Sequence, residues 1–406
     1  MLFPTENDGP TSPLGTRILL FTGKGGVGKT TCAAATAQRA ARAGKKTLIL
    51  SSDPAHSLAD ALDRELGPEA EEVADNLHAQ EVDLYYSMKK YWGNMRELML
   101  TVFRWQGVDQ IAAEEMAALP GMNEGSVLLW LEQAIREEDY DLIVVDSAPT
   151  GETLTLLTLP QVTQWWLAKA FPFQKFAFKS VGFGIRKTTG IPLDKGYEEL
   201  EVIFEKLERI QDVLATPETT SIRLVMNPEK MVIEEARRAY TYLQLYGYAV
   251  DSVIVNRVLP EDQVPDNSFF DEYVASQREY LAEIERSFSP LPILKVPHLG
   301  TEVFGPERLE RIAEALYGDT DPTRILHDEP TFRVREEENA YVLDIRLPFV
   351  EDEEINIRHR GDQLVVQIAN QRRNYILPNF LSYFTLTEHV LADGWLHVRF
   401  ESEPAE

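Results

Sequence analysis

Cysteine is almost absent. Cys32 is the one thiol in 406 residues, which excludes an intrachain disulfide and any cluster of thiolates within one chain. Such usage fits a reducing compartment, so a cytoplasmic location, or a plastid stroma in a eukaryote, is expected. No uninterrupted apolar run approaches the roughly 20 residues of a membrane span. The first dozen residues, with Glu6, Asp8 and Pro10, lack the basic-then-apolar plan of a secretory signal, and residues 1–15 read as a disordered tail. Cations are scarce as well. Lys and Arg total 40 against 66 Asp and Glu, a net charge of −26, which argues against nucleic acid or an anionic membrane as a partner held by bulk electrostatics.

What is present begins with ordinary globular composition, 44% hydrophobic, at a length that suggests about two domains. The chain is organised around Gly23-Lys24-Gly25-Gly26-Val27-Gly28-Lys29-Thr30-Thr31. An apolar stretch, residues 18–21, precedes it and an Ala-rich helical pattern, residues 32–42, follows. Strand, glycine loop and helix is the setting of a phosphate-binding loop. The glycines let the backbone turn its N–H groups towards phosphate oxygens, and the helix N-terminus adds partial positive charge. Lys29 is placed to neutralise β- and γ-phosphate charge, and the Thr30 hydroxyl to ligate Mg²⁺. A second compact strand, residues 46–51, completes a βαβ unit, so the sheet is parallel and its C-terminal edge carries the ligand. Asp53 falls at that edge, where it suits either catalysis or helix capping. Residues 141–146 read as a buried strand ending in Asp146, a carboxylate placed to hold metal-bound water.

The early Lys24 narrows the class. The string Lys-Gly-Gly-Val-Gly-Lys-Thr resembles the deviant phosphate loop of the ATPase family that contains cell-division positioning, chromosome-partitioning, nitrogenase-reductase, arsenical-pump and tail-anchored-protein-targeting members. That resemblance implies a homodimer in which Lys24 reaches the partner's nucleotide. Asp53-Pro54-Ala55-His56-Ser57 is similar to the first switch of the arsenical-pump and targeting members, which implies that Asp53 orients and activates the attacking water. Ser147-Ala148-Pro149-Thr150-Gly151-Glu152-Thr153 resembles the second switch, with Ser147 for the usual threonine and Glu152 for the usual histidine. The strings Asn227-Pro228-Glu229 and Ile254-Val255-Asn256-Arg257, and the strand end at Pro297, match nucleotide-side positions of the family. An asparagine at a strand end offers the donor and acceptor a purine edge needs, although it is common turn chemistry too. The resemblance covers residues 16–318.

Other branches fit less well. The net charge disfavours chromosome partitioning, and no basic amphipathic C-terminal helix supports the cell-division type. One Cys32 cannot supply the zinc pair, the metalloid ligands or the cluster cysteines of other members, so no zinc is expected. Between and after the switches lie two helical stretches, approximately residues 86–123 and 163–195, which in targeting members form an α-helical subdomain with an apolar groove. Met95, Met99, Phe171, Phe173 and Phe176 are the candidate groove residues, and flexible methionine suits such a surface. Burial in a helical core explains the same pattern equally well.

After a polar linker, residues 319–330, the period changes from helical to alternating. Residues 341–348, 355–360, 363–368, 374–378 and 391–400 read as short strands, which predicts a small β-sandwich over residues 331–406. Its order resembles the α-crystallin domain of small heat-shock proteins, without an obvious Ile-x-Ile tail. The fusion looks like the arsenical-pump-type branch found in cyanobacteria and plastids. Because every nucleotide motif precedes Gly318, the ATPase is expected to survive loss of the sandwich.

The expectation is an α/β protein: a doubly wound, mostly parallel sheet of the P-loop NTPase type with an α-helical insert subdomain, plus a small C-terminal all-β sandwich. The function expected is a homodimeric, Mg²⁺-dependent ATP hydrolase, cycling between ATP and ADP, that gates an apolar groove for a transmembrane segment. Membrane association would be transient and through a receptor. The alternatives are a nucleotide-gated holder of a lipid or other small hydrophobic ligand and, third, a metalloid-pump subunit.

Overall fold

The computed structural model describes residues 15–53, 57–93, 100, 122–137, 139–170, 193–263, 268–338 and 340–402, with the side chains of 161–170, 193–201, 263, 268, 269, 379 and 382 excepted. Met95, Met99, Phe171, Phe173 and Phe176 lie outside the described residues, as do residues 1–14 of the expected tail.

The large sheet runs β3-β4-β2-β5-β1-β6-β7-β8. Its strands are β1 (Arg17–Thr22), β2 (Thr47–Ser51), β3 (Glu71–Ala74), β4 (Leu77–Glu81), β5 (Leu142–Asp146), β6 (Thr220–Met226), β7 (Val250–Val258) and β8 (Ile293–Pro297). All neighbours are parallel except the edge pair β3 and β4. Every residue of β1, β2 and β5 is buried, which is why these strands read as continuous apolar runs rather than alternating ones. β3 and β4 gave no such signal. Their sequences, Glu-Glu-Val-Ala and Leu-His-Ala-Gln-Glu, are largely polar, and Gln80 is satisfied by donating to the Pro68 carbonyl oxygen at 2.8 Å.

Helices cover the sheet. α1 (Lys29–Arg42) packs on β5 and β2, and its Ala33, Ala34, Ala37 and Ala40 are all fully buried; small side chains of this kind let a helix approach its neighbours closely. α2 (Ser57–Leu62) and α3 (Leu84–Tyr91) follow, then α4 (Met122–Glu137), α5 (Thr150–Ala170) and α6 (Leu193–Ala215), which pack on one another. The second half holds α7 (Lys230–Tyr246), α8 (Ser268–Phe288) and α9 (Pro306–Tyr317), the last lying against α1.

Register sets the site. Ser51 of β2 and Phe21 of β1 both stand opposite Asp146 at the end of β5. Thr22 stands opposite Leu224, and Met226 opposite Val255. The residues that follow these strand ends, Asp53, the glycine loop, Asn227 and Asn256, are therefore gathered at one edge of the sheet.

The C-terminal part is an antiparallel sandwich: a sheet β14-β15-β10-β9 faces a sheet β11-β12-β13. Its strands are β9 (Phe332–Glu337), β10 (Ala340–Arg346), β11 (Ile355–Arg360), β12 (Gln363–Ile368), β13 (Gln371–Ile376), β14 (Phe384–Ala392) and β15 (Trp395–Ser402). β9 and most of β14 were absent from the sequence reading: both are largely exposed, and charged or polar residues such as Arg333, Arg335, Glu388 and His389 break up their apolar residues. The sandwich does not stand alone. Leu245 of α7 is fully buried in its core with Leu343, Leu364, Val366 and Phe400. Residues before β9 are held too: buried Arg223 of β6 pairs with Asp251 at 3.2 Å and donates to the Pro322 carbonyl oxygen at 2.9 Å.

Candidate active site

β1 hands Thr22 to a loop of residues 23–28 that leads directly into α1. Two of its glycines are required by close approach. A Cβ on Gly23 would lie 2.1 Å from the Val225 carbonyl oxygen, and one on Gly28, where φ is +94°, would lie 2.2 Å from the Asn256 amide nitrogen. The loop is thus pressed against the ends of β6 and β7, with Gly25 and Gly26 exposed at its crest and Val27 buried beneath it. Asn256 fixes it: Nδ2 donates to the Val27 carbonyl oxygen at 2.8 Å, while Oδ1 accepts from the Arg257 N–H at 2.9 Å.

Lys29, the first residue of α1, is buried and donates through Nζ to the Lys24 carbonyl oxygen at 3.3 Å. Burial lowers its pKa from the usual lysine value, while Asp146, Asp53, Glu235 and Glu152 pull the other way. The Lys24 side chain lies 3.9 Å from Glu235 Oε2. Two lysines therefore face four carboxylates, a balance that suits a polyanion arriving with a divalent cation.

Asp146 is fully buried. Its Oδ2 accepts from Ser51 Oγ at 3.1 Å, whereas Oδ1 has no hydrogen-bond partner among the described residues. Burial pushes its pKa up to about 6; the Thr30 hydroxyl, Lys29 and Ser51 oppose that rise and Asp53 adds to it. Thr30 Oγ1 lies 3.0 Å from Ser57 Oγ. Asp53 follows β2 half-buried, its N–H donating to Ser51 Oγ at 3.3 Å, so one serine ties both carboxylate positions together. Residues 54–56 of the first switch lie outside the described residues.

The second switch is joined by hydroxyls to the end of β1, from which the loop springs. Ser147 Oγ donates to the Phe21 carbonyl oxygen at 2.6 Å, Thr153 Oγ1 donates to Ser147 Oγ at 2.9 Å, and Thr22 Oγ1 donates to Thr153 Oγ1 at 3.0 Å. Ser147 thus provides the hydroxyl that a threonine would provide. Glu152 is exposed on the first turn of α5. On the far side of the loop, Asn227 is buried with Oδ1 unpartnered among the described residues, Glu229 is exposed at the start of α7, and Pro297 ends β8 half-buried. Sequence reasoning missed Ser51, Thr22 and Glu235, and it placed Thr153 in the second switch without assigning it a role. Ser51 and Thr22 end their strands and could have been found by that position; Glu235 carries no local signal.

The donors fit a magnesium–nucleotide. The free Asp146 Oδ1, the Thr30 hydroxyl and Asp53 are hard oxygens of the kind Mg²⁺ takes, and the glycine loop with Lys29 suits phosphate. Comparison with known proteins agrees. Residues 16–318 match the family model described as anion-transporting ATPase, and residues 338–400 match that of the HSP20-like domain found in ArsA. A protein of Prosthecochloris vibrioformis named as an arsenical pump-driving ATPase is 40% identical over 95% of this chain and 96% of its own length. One of Aquifex aeolicus with the same kind of name is 39% identical over 90% of this chain and 95% of its own. The ATPase get3 of Botryotinia fuckeliana is 30% identical over 74% of this chain and 89% of its own. The chain belongs to the anion-transporting ATPase (ArsA) family, as an ATP hydrolase that carries the HSP20-like domain found in ArsA.

Proposed function

We propose that the chain is a homodimeric, magnesium-dependent ATPase whose nucleotide cycle opens and closes an apolar surface for a membrane-protein segment or another apolar client. The observation that carries this reading is the course of α5. It begins at Thr150 in the second switch, which is bonded through hydroxyls to the end of β1 where the phosphate loop starts, and runs to Ala170, directly before the aromatic residues 171–183. A change at the phosphate loop therefore has a helical path to the most aromatic stretch of the sequence.

In this reading Lys29 and the N–H groups of residues 23–31 hold the phosphates. Thr30, Asp53 and Asp146 would hold Mg²⁺, which when bound neutralises charge on the phosphate oxygens. Asp53 orients the attacking water and accepts its proton. Lys24 serves the partner's nucleotide across the dimer. Asn227 Oδ1 accepts from the adenine amine, Glu229 and Pro297 flank the base, and Asn256 braces the loop on which the phosphates rest. An apolar cargo is favoured over a metalloid because Cys32 is fully buried inside α1, where burial pushes the thiol up to about 12.

The test is capture of a fluorescent apolar helical peptide by the full chain, followed by size-exclusion chromatography with Mg-ATP, with Mg-ADP and without nucleotide. Nucleotide-dependent co-elution with a species of twice the chain mass is expected. A monomer in every state, or peptide retention indifferent to nucleotide, refutes the reading. A lipid found in the purified protein by native mass spectrometry would replace the client with a small hydrophobic ligand.

A further inference from the structure

Glu235 belongs to none of the phosphate-loop or switch strings, yet it touches both. It lies in the second turn of α7, with 31% of its side chain exposed. Its Oε2 lies 3.9 Å from Lys24 Nζ, on the phosphate loop. Its Oε1 accepts from the hydroxyl of Thr150, the first residue of α5, at 3.3 Å. Thr150 is itself buried, so its hydroxyl has little freedom and fixes the direction of the carboxylate. Lys24, with 36% of its side chain exposed, is free to swing once released. One carboxylate thus holds a phosphate-loop cation, and the second switch aims that carboxylate.

We propose that Glu235 is a positioning residue of the nucleotide site: oriented by Thr150, it holds the Lys24 ammonium against its own subunit, and a polyphosphate gains Lys24 only by taking it from Glu235. The argument is one of competition. A single half-exposed carboxylate offers one negative charge at 3.9 Å, whereas a nucleoside triphosphate offers several at the adjacent loop. The nucleotide wins, but it binds more weakly than it would to a free lysine. A half-exposed pair of this kind corresponds to a penalty of up to about fivefold. Any displacement of Thr150 that turns the carboxylate away reduces that penalty, so the position of the second switch sets how readily Lys24 is given up. This rests on the nucleotide-site reading, whether Lys24 then serves its own loop or the partner's.

The test is a double-mutant cycle on the full chain. Mg-ADP and Mg-ATP affinities are measured by titration calorimetry for the wild type, Glu235→Gln, Lys24→Ala and the double variant, with thermal melts alongside. Glu235→Gln keeps the shape and the acceptor for Thr150 but removes the charge. It should tighten nucleotide binding about two- to fivefold, and the gain should vanish in the Lys24→Ala background. High salt should shrink it, as screening requires. Thr150→Val should reproduce part of the gain, again only while Lys24 is present. Equal effects in both lysine backgrounds, weaker binding in Glu235→Gln, or no change overturns the proposal. A purely structural Glu235 would lower the melt without any coupling to Lys24, and that result overturns it too. Absence of nucleotide binding by the wild type refutes the nucleotide site itself, and Glu235's role with it. Should Glu235→Gln fail to fold, Glu235→Asp, which keeps the charge but withdraws it by one methylene, must show a smaller gain of the same sign.

Discussion

Ending the chain after residue 326 should yield an ATPase that is markedly less stable than the whole protein, although every nucleotide motif is retained. The cut keeps the segment held by Arg223 and removes the sandwich. What remains is an open α7. Leu245 loses the core that buries it completely, and burial of a leucine is worth ~1.5–3 kcal/mol. The Leu245 carbonyl oxygen also loses both of its sandwich donors, Arg373 Nη1 at 2.7 Å and Tyr375 Oη at 2.6 Å. Each such bond contributes ~0.5–1.5 kcal/mol net. Tyr246 loses Gln371 at 2.8 Å, and Tyr240 and Phe288 lose the Phe349 ring at 6.3 and 5.5 Å. A deficit on the order of 3–6 kcal/mol against a total stability of ~5–15 kcal/mol leaves the truncated domain near its limit. Thermal melting and ATP turnover of both forms measure this directly. Leu245→Ala in the full chain is the milder companion, expected to cost ~2–5 kcal/mol and to lower one cooperative transition shared by both parts. Equal melting and equal turnover for the truncated and whole proteins would show that the sandwich is a passive appendage, and the reasoning from α7 would fail.

Lys29→Ala should abolish nucleotide binding in a calorimetric titration, since the buried ammonium is the loop's own cation. Asp53→Asn should bind ATP normally but turn over ~10²–10⁴-fold more slowly; turnover at the wild-type rate would remove Asp53 from the chemistry. Strong chelators should leave the proposed dimer intact in sedimentation, because its assembly is expected to need no zinc. Acid should weaken the sandwich through Asp344. Burial alone would raise its pKa, but hydrogen bonds from Arg335, His397 and Arg333, at 2.7, 2.6 and 2.8 Å, win and hold it well below the usual carboxylate range. A depressed folded pKa gives stability that is complete above the unfolded value of ~3.9 and is lost as pH falls from there towards the folded pKa. Melting temperature should therefore drop between about pH 5 and pH 2, and Asp344→Asn should flatten that part of the profile.

The nucleotide edge was legible because its chemistry is written in consecutive residues. Strand, glycine loop and helix follow one another from Arg17 to Arg42, and the parallel register then brings Asp53, Asp146, Asn227 and Asn256 to the same edge without further information. Continuous apolar runs announced β1, β2 and β5 because both of their faces are covered. β3 and β9 were illegible for the converse reason: each ends its sheet, one side is wet, and polar residues are tolerated there. β4 is mostly buried, but His78, Gln80 and Glu81 interrupt the apolar run that would have announced it. The role of Asn256 was only half legible. Its place at a strand end could be read, but its hold on Val27 depends on a loop 229 positions away in sequence.

Glu235 and Leu245 mark a deeper limit, and they share a helix. As sequence, α7 is an ordinary amphipathic segment, and Leu245 is one apolar residue among several on its buried stripe. Which core that stripe enters is decided by the crossing of two chain segments more than 100 residues apart, and no local pattern records it. Leu245 points into the sandwich, while Ile233 and Leu243 enter the core of the large sheet. One helix therefore belongs to two cores. The position of Gly247 follows from the same joint. It ends α7 with φ of +84°, and a Cβ there would lie 2.6 Å from Arg373 Nη1, so the residue is glycine both to turn the chain and to admit the arginine that bonds Leu245. At the other end, Glu235 meets Lys24 and Thr150. A helix of 17 residues spans about 25 Å at 1.5 Å per residue, and packing fixes it at both ends. The boundary that composition draws at Gly318 is thus a boundary of sequence pattern, and the packed unit extends across it.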